Sequence, residues 1–407
     1  MSQSPIVIKS KDLPKLRRVA LAAQGLHQAD SFGRGLSGTR KTINHLGYVQ
    51  IDTISVVERA HHHVLFSRVS NYQPKHLHRL LANKDIFEYW SHAAAFLPIK
   101  DFRFSLPFKH SIRRGEQNWT RSRDHKLMQE VLARITVDGP LRSRDLEAPD
   151  HKTSGWWNWK PTKKALEQLF MQGDLMVVAR DGFQKTYDLT ERVLPDNVDT
   201  RDPSHEEFAE FLINQALSSH ALVTLKGITY LRRDAKLRLA AKSQVEQMVS
   251  EGKLQRLKFE QAPDHFCYPG LLDKRMPHAQ QRVVILSPFD HSIIQRSRLN
   301  DLFDYDYQIE CYVPEKKRKF GYFCLPLLYK DQFIGLMDCK SHRKNGGFEI
   351  KNLHLGADIN PPPLPLLAQA IEEFAQFQFI ESGLKPSITV TKTNRKGIKM
   401  PLSKLLN

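Results

Sequence analysis

The chain has 407 residues, with 61 Lys plus Arg against 44 Asp plus Glu, a formal charge of +17. Hydrophobic residues make up 41% and charged residues 26%, the proportions of an ordinary globular protein, which excludes a largely disordered or collagen-like chain. No apolar run reaches membrane-spanning length, residues 1–11 lack a signal-like apolar stretch, and four cysteines without a Cys-x-x-Cys pair argue against a disulfide scaffold or zinc ribbon; a reducing cytoplasm is the expected location.

In chain order, 12–25 and 38–46 read as helices, and Tyr48 to Asp52 alternates like a strand. Next comes His61-His62-His63. Three adjacent histidines fan out on a helix and alternate on a strand, so they do not converge on one ion, and polar or DNA-facing contact is the better expectation. Residues 126–136 form an amphipathic helix, broken by Gly139-Pro140, and 141–146 begin a second helix that carries Arg142 and Arg144. A third helix runs over 161–172. Residues 175–179 and 186–189 then alternate as strands about an Asp181-Gly182 turn.

The order recurs about 80 residues later. A helix begins at 206, 222–228 lead into a second, 242–250 belong to a third, and a strand pair returns through Phe266-Cys267-Tyr268. Gln168–Leu175 aligns with Gln247–Leu254. Three helices and a hairpin are the order of a winged helix, a module that commonly meets DNA but also serves protein contacts. A less clear copy opens the chain. Residues 283–355 hold short alternating runs at 283–286, 307–313, 322–328, 333–339 and 348–353, and a helix covers 366–379. The expected fold is α+β: tandem winged-helix units (1–120 with an insertion, 121–202, 203–280), then a small antiparallel barrel-like β-domain with a terminal helix and basic tail (281–407).

The charge favours a polyanion, and no basic amphipathic helix argues for a membrane, so nucleic acid is the expected partner. Walker, dinucleotide, nucleophile-elbow and His-Glu-x-x-His motifs are absent. In a strand, Gln50 and Asp52 would share one face, with Val49 and Ile51 on the other. That alternation alone fits any half-solvated strand.

Seven segments in the same order carry a resemblance across most of the chain. They are Leu21-Ala-Ala-Gln-Gly25, Gln50-Ile-Asp-Thr53, Val64-Leu-Phe-Ser-Arg68, Glu88-Tyr-Trp-Ser-His92, Ser154-Gly-Trp-Trp-Asn-Trp-Lys-Pro161, Leu286-Ser-Pro-Phe-Asp290 and Tyr322-Phe-Cys-Leu-Pro-Leu-Leu328. Together they resemble the bacterial winged-helix DNA glycosylases of the AlkZ-like and YcaQ-like (AlkX) family, in its Gln-x-Asp branch. The resemblance implies three winged-helix units and excision of cationic N7-alkylated purines from duplex DNA, interstrand crosslinks included.

It further implies catalysis by Gln50 and Asp52, with no cofactor, no metal and no obligatory protein partner, in a cytoplasmic, nucleoid-associated protein. Asp52 would stabilise an oxocarbenium-like sugar and activate water, and Gln50 would orient that water or the sugar. No lysine lies in the motif, so the product would be an abasic site without a lyase step. A crosslinked base cannot enter a tight pocket, so an open basic cleft is expected. Candidate DNA or substrate contacts are His61, His62, His63, Arg68, His92, Arg142, Arg144, Trp156, Trp157 and Asp290, although Asp290 also suits a turn carboxylate and the tryptophans also suit helix packing. In the segment ending at His92, Ala93 stands where an acidic residue is common. In so basic a protein, Asp52 is expected to be firmly ionised. Two other readings remain open: a winged-helix regulator without catalysis, and a metal-dependent nuclease using the histidines and Asp52.

Overall fold

A computed structural model describes residues 4–120, 123–146, 160–276, 278–357, 359 and 361–406. The chain divides into two compact units, residues 1–74 with 209–407, and residues 75–208. These units cut across the expected spans, and the reason is packing. Strand Ile6–Val7 runs parallel to Gln255–Lys258, and one apolar core gathers Leu16, Val19 and Leu21 from the first helix with Leu222, Leu257, Leu286, Leu302 and Leu328.

In the larger unit, helices Leu13–Ala23 and Gly35–Leu46 precede strand Val49–Gln50 and helix Ala60–Phe66. Gly47 ends the second helix at φ +77°, and a β-carbon there would lie 1.9 Å from the Gln215 side-chain nitrogen. That nitrogen donates to the Leu46 carbonyl at 2.7 Å, closing the helix end. The later copy of the repeat follows as helix His205–His220, strand Leu222–Val223, helices Leu225–Ile228 and Ala235–Ser250, and strands Gln255–Lys258 and His265–Cys267. The Asp234 carboxylate starts the long helix by accepting from the Lys236 and Leu237 backbone N–H groups. Its sheet has the order Ile6–Val7, Gln255–Lys258, His265–Cys267, Leu222–Val223.

The C-terminal part is an open five-stranded sheet: Val283–Ile285, Cys324–Tyr329, Gln332–His342, Gly347–Leu355 and Ser387–Val390 in that order. Its first three pairings are antiparallel and its last is parallel. Helix Leu364–Gln378 packs on it through Phe374, 5.9 Å from the ring of Phe348. Four of the five alternating runs are strands. The run at 307–313 is not, because the Glu310 side chain draws the following backbone into a loop: its carboxylate accepts from the Lys319, Phe320 and Gly321 N–H groups at 2.8, 2.8 and 3.1 Å.

The smaller unit holds helix Lys75–Ala82, hairpin Ile86–Trp90 with Ala94–Pro98, and helix Leu106–Arg113. After these come helix His125–Asp138, strand Leu141–Arg142, the 3₁₀ turn Ser143–Leu146, helix Lys160–Met171 and hairpin Leu175–Asp181 with Gln184–Leu189. The helix expected at 141–146 is thus a strand and a single turn. Leu141 and Arg142 pair with Tyr187 and Thr186, a non-local ladder that local pattern does not reveal. Both copies of the repeat turn from long helix to hairpin on a glycine of positive φ, Gly173 and Gly252. Among the described residues no helix is long and apolar enough to cross a membrane.

Candidate active site

Only Val49 and Gln50 are in strand geometry; Ile51 to Ser55 leave the ladder. Asp52 itself causes the departure. Its Oδ1 accepts from the Ile54 N–H at 2.7 Å, a side-chain-to-backbone turn that competes with strand pairing. Gln50 is buried beside Val49 and Ile51, whereas Asp52 is half-buried. The expected two-faced alternation is therefore absent, and the carboxylate is aimed by a turn.

That turn is fastened to the C-terminal part of the same unit. The Ser341 N–H donates to the Val56 carbonyl at 2.8 Å, and Arg343 donates to the carbonyls of Ser55 and Val57 at 2.6 and 2.8 Å. The Gln378 side-chain carbonyl accepts from the Glu58 N–H at 2.6 Å and from the Ser341 hydroxyl at 3.1 Å. On the other side, His291 donates to the Tyr48 carbonyl at 2.8 Å. A loop pinned at both ends can hold a carboxylate in one place without a regular element beneath it.

Among the described residues, no cation pairs with Asp52. Burial raises its pKa, and the Ile54 N–H opposes this only in part. In the direction of the shift, local loss of water outweighs the distant, screened positive charge of the chain. The charge of Asp52 is felt at Cys311 and Tyr312, raising both pKa values behind the larger contributions of burial at Cys311 and of Cys311 itself at Tyr312. Sequence reading singled out neither residue.

The histidine run lies on helix Ala60–Phe66 and does not act as a unit. His63 is 1% exposed, donates to the Ile285 carbonyl at 2.9 Å and packs on Phe374. His61 is also buried, and its ring lies 4.2 Å from that of His62, which bonds the Tyr72 hydroxyl at 2.7 Å. Burial of His61 and His63 thus favours packing over the expected DNA-facing roles. Among the described residues no three His, Cys, Asp or Glu side chains gather so that they could hold a metal.

Burial lowers the pKa of His63 to about 4. Unfolded, it would titrate near the ordinary value of about 6.5, so the unfolded state takes the proton first. Stability is expected to fall as pH drops through this window, by up to about 1.4 kcal/mol per pH unit from this group. Urea titrations between pH 7 and 4.5 would show a shallower fall for His63→Gln; an unchanged slope would contradict the assignment.

Arg68 and Asp290 are likewise corrected. They are 1% and 0% exposed and bonded to each other, at 2.6 Å (Nη1 to Oδ2) and 2.9 Å (Nη2 to Oδ1). Arg68 also donates through Nε to the Gln24 carbonyl at 2.7 Å, and Gln24 donates onward to the Ser219 carbonyl at 2.5 Å. Asp290 caps helix His291–Ile294, accepting from the Ser292 N–H and hydroxyl at 2.9 and 2.7 Å. Burial alone would raise the Asp290 carboxyl, but Arg68 and Ser292 hold it at about 2. Every strong donor and acceptor of the pair is spent inside the protein, so neither residue offers a contact to DNA.

The remaining candidates belong to the unit 75–208. Arg142 donates to Asp145 at 3.0 Å, and the exposed Arg144 lies 3.9 Å from both Asp145 and Asp181. His92 sits in the turn of hairpin Ile86–Trp90 with Ala94–Pro98. Its neighbour Glu88 is buried, and despite that burial Lys185 and Arg180 hold its pKa down, at 2.8 and 2.6 Å. Glu88 is thus a structural anchor for its hairpin. Trp156 and Trp157 lie outside the described residues.

A family model described as DNA glycosylase AlkZ-like matches residues 43–377. Among solved structures, the fold is similar to that of Streptomyces sahachiroi DNA glycosylase AlkZ, with a TM-score of 0.60 and 14% sequence identity, over 93% of this chain and 98% of that one.

Proposed function

The chain belongs to the AlkZ-like DNA glycosylase family, and on that premise we propose that it hydrolyses the N-glycosidic bond of cationic N7-alkylated purines, unhooks interstrand crosslinks formed at those positions, and leaves an abasic site. The observation that carries this reading is Asp52: a half-buried carboxylate without a cationic partner among the described residues, fixed by the Ile54 N–H on a loop pinned at both ends.

The chemistry asks little of the protein beyond such a group. A purine alkylated at N7 is already positive, so the C1′–N9 electron pair departs into the ring and neutralises it without a strong general acid. The sugar is left oxocarbenium-like, and a nearby carboxylate stabilises that charge. Water then attacks C1′ while its proton passes to Asp52. Gln50, one residue back from Ile51, would orient the water or the sugar through an amide that can donate and accept. No lysine shares the motif, so the reaction ends at the abasic site.

The helix, strand, helix and hairpin order of residues 125–189 and 205–267 supports reading both as winged-helix units. A basic chain carrying such units suits duplex DNA as the partner. On this reading Arg144, exposed in the turn Ser143–Leu146, is a candidate phosphate contact, and His92, in the turn between Ile86–Trp90 and Ala94–Pro98, is another candidate contact.

The raised pKa of Asp52 gives the reading a pH signature. The carboxylate form is the active one, so kcat/KM should rise with pH through an acidic limb whose midpoint lies above the usual aspartate value of about 3.9. Unhooking of an N7-linked crosslink, followed on denaturing gels and corrected for spontaneous depurination, measures it. A limb at or below 3.9 would remove Asp52 from the base role. Failure to unhook while N7-methylguanine is released would confine the activity to monoadducts.

A further inference from the structure

The loop between helix Arg296–Phe303 and strand Cys324–Tyr329 combines three features. Its base is built. Besides the three N–H groups gathered by Glu310, the Asn352 side chain donates to the Phe320 carbonyl at 2.8 Å, and the Tyr307 hydroxyl donates to the Cys324 carbonyl at 2.8 Å. Within the loop, the Val313 N–H turns back to the Glu310 carbonyl, and Arg318 donates to the Val313 carbonyl, both at 2.9 Å, with its guanidinium 5.0 Å from the ring of Tyr322.

Its tip carries an aromatic side chain held in water. Tyr312 is 83% exposed, so both faces of its ring are open to a stacking partner. Its shoulder, Glu315-Lys316-Lys317-Arg318-Lys319, exposes Lys316, Lys317 and Lys319. Finally, the loop and Asp52 belong to the same compact unit, and the charge of Asp52 is felt at both Cys311 and Tyr312.

We propose that loop 310–322 is the element that engages the damaged nucleotide: Tyr312 stacks on a base beside the lesion while Lys316, Lys317 and Lys319 hold the flanking phosphates. This rests on the reading of Asp52 as the catalytic carboxylate. A rigid stem with a ring at its end can enter a base step without reorganising, and stacking on a π-face tolerates any base, as a lesion-directed rather than sequence-directed protein requires. The cations supply the sequence-independent share of binding. An open site needs such a device, because a base tethered to the opposite strand cannot be extracted into a pocket.

The test uses the full-length protein and a duplex with 2-aminopurine beside a tetrahydrofuran abasic analogue, in parallel with single-turnover release of N7-methylguanine. Tyr312→Ala should abolish the 2-aminopurine fluorescence change and slow release by roughly ten- to a hundredfold, and Tyr312→Phe, which keeps the ring, should restore both. The triple variant Lys316→Ala, Lys317→Ala, Lys319→Ala should lower the slope of log affinity against log salt by about 2 to 3. Fluorescence and release unchanged in Tyr312→Ala, or Tyr312→Phe as impaired as Tyr312→Ala, would overturn the stacking role; an unchanged salt slope would overturn the phosphate contacts. Absence of base release by the native protein would sink the glycosidic chemistry while the fluorescence and salt measurements still decided the loop.

Discussion

Replacing Asp52 by alanine is expected to slow base release by about 10²–10⁴-fold, the range a positioned general base commonly contributes. DNA binding should be nearly unchanged, because the group works on the reacting sugar and not on the phosphates. Asp52→Asn is the sharper variant. It keeps the shape and can keep the acceptor for the Ile54 N–H, so the turn survives while the charge goes. Equal losses in the two variants would assign the effect to charge and proton transfer. A loss in Asp52→Ala that Asp52→Asn repairs would assign it to the turn, and the carboxylate would no longer be the catalyst. Gln50→Ala should cost less, because an orienting amide adds geometry and not charge.

The second large effect concerns the fold. Removing one partner of the Arg68–Asp290 pair leaves a charge with no water and no counter-ion, which typically costs about 3–5 kcal/mol. Arg68→Ala and Asp290→Ala should therefore unfold at markedly lower urea concentration than the native chain. Replacing both by apolar residues, Arg68→Met with Asp290→Leu, should recover part of the loss, since the stranded charge is then gone. Arg34→Ala supplies the contrast. Its pair with Asp30 leaves the Arg34 side chain exposed, and such pairs are worth about 0–1 kcal/mol. If Asp290→Ala proved near neutral, the pair would not be the tie between the first helices and helix His291–Ile294 that its bonds to Gln24, Val64 and Ser292 describe.

The helices were the most legible part of the sequence. Those over 125–138, 160–171 and 364–378 carry their own apolar period and end signals, and each lies within a few residues of where the pattern puts it. The hairpin at Asp181-Gly182 was legible for the same reason, being encoded by neighbours. What stayed hidden depends on distant partners. Leu141–Arg142 is a strand only because Tyr187 and Thr186 lie beside it. The run 307–313 alternates like a strand, yet a single buried glutamate gathers three later N–H groups and makes it a loop.

The candidate site divides along the same line. The Gln50-Ile51-Asp52 segment is local and could be read from the chain. The burial of Arg68 against Asp290 spans 222 positions and could not, so two buried partners passed for surface contacts. Tyr312 fell within the run 307–313 that alternates like a strand, so its exposure follows only from the folded loop.

The charge of +17 stands in a different light beside this geometry. It suits a protein that grips phosphates, yet it does not set the direction of the Asp52 shift, which burial turns upward. The measurement that bears most directly on the central claim is single-turnover release of N7-methylguanine from duplex DNA, in the presence of a chelator, by the native chain and by Asp52→Asn. The account predicts abasic sites in stoichiometric yield from the native protein, undiminished by the chelator, and a loss of at least about a hundredfold in the variant. Equal release by both proteins, or DNA binding with no release by either, would contradict it.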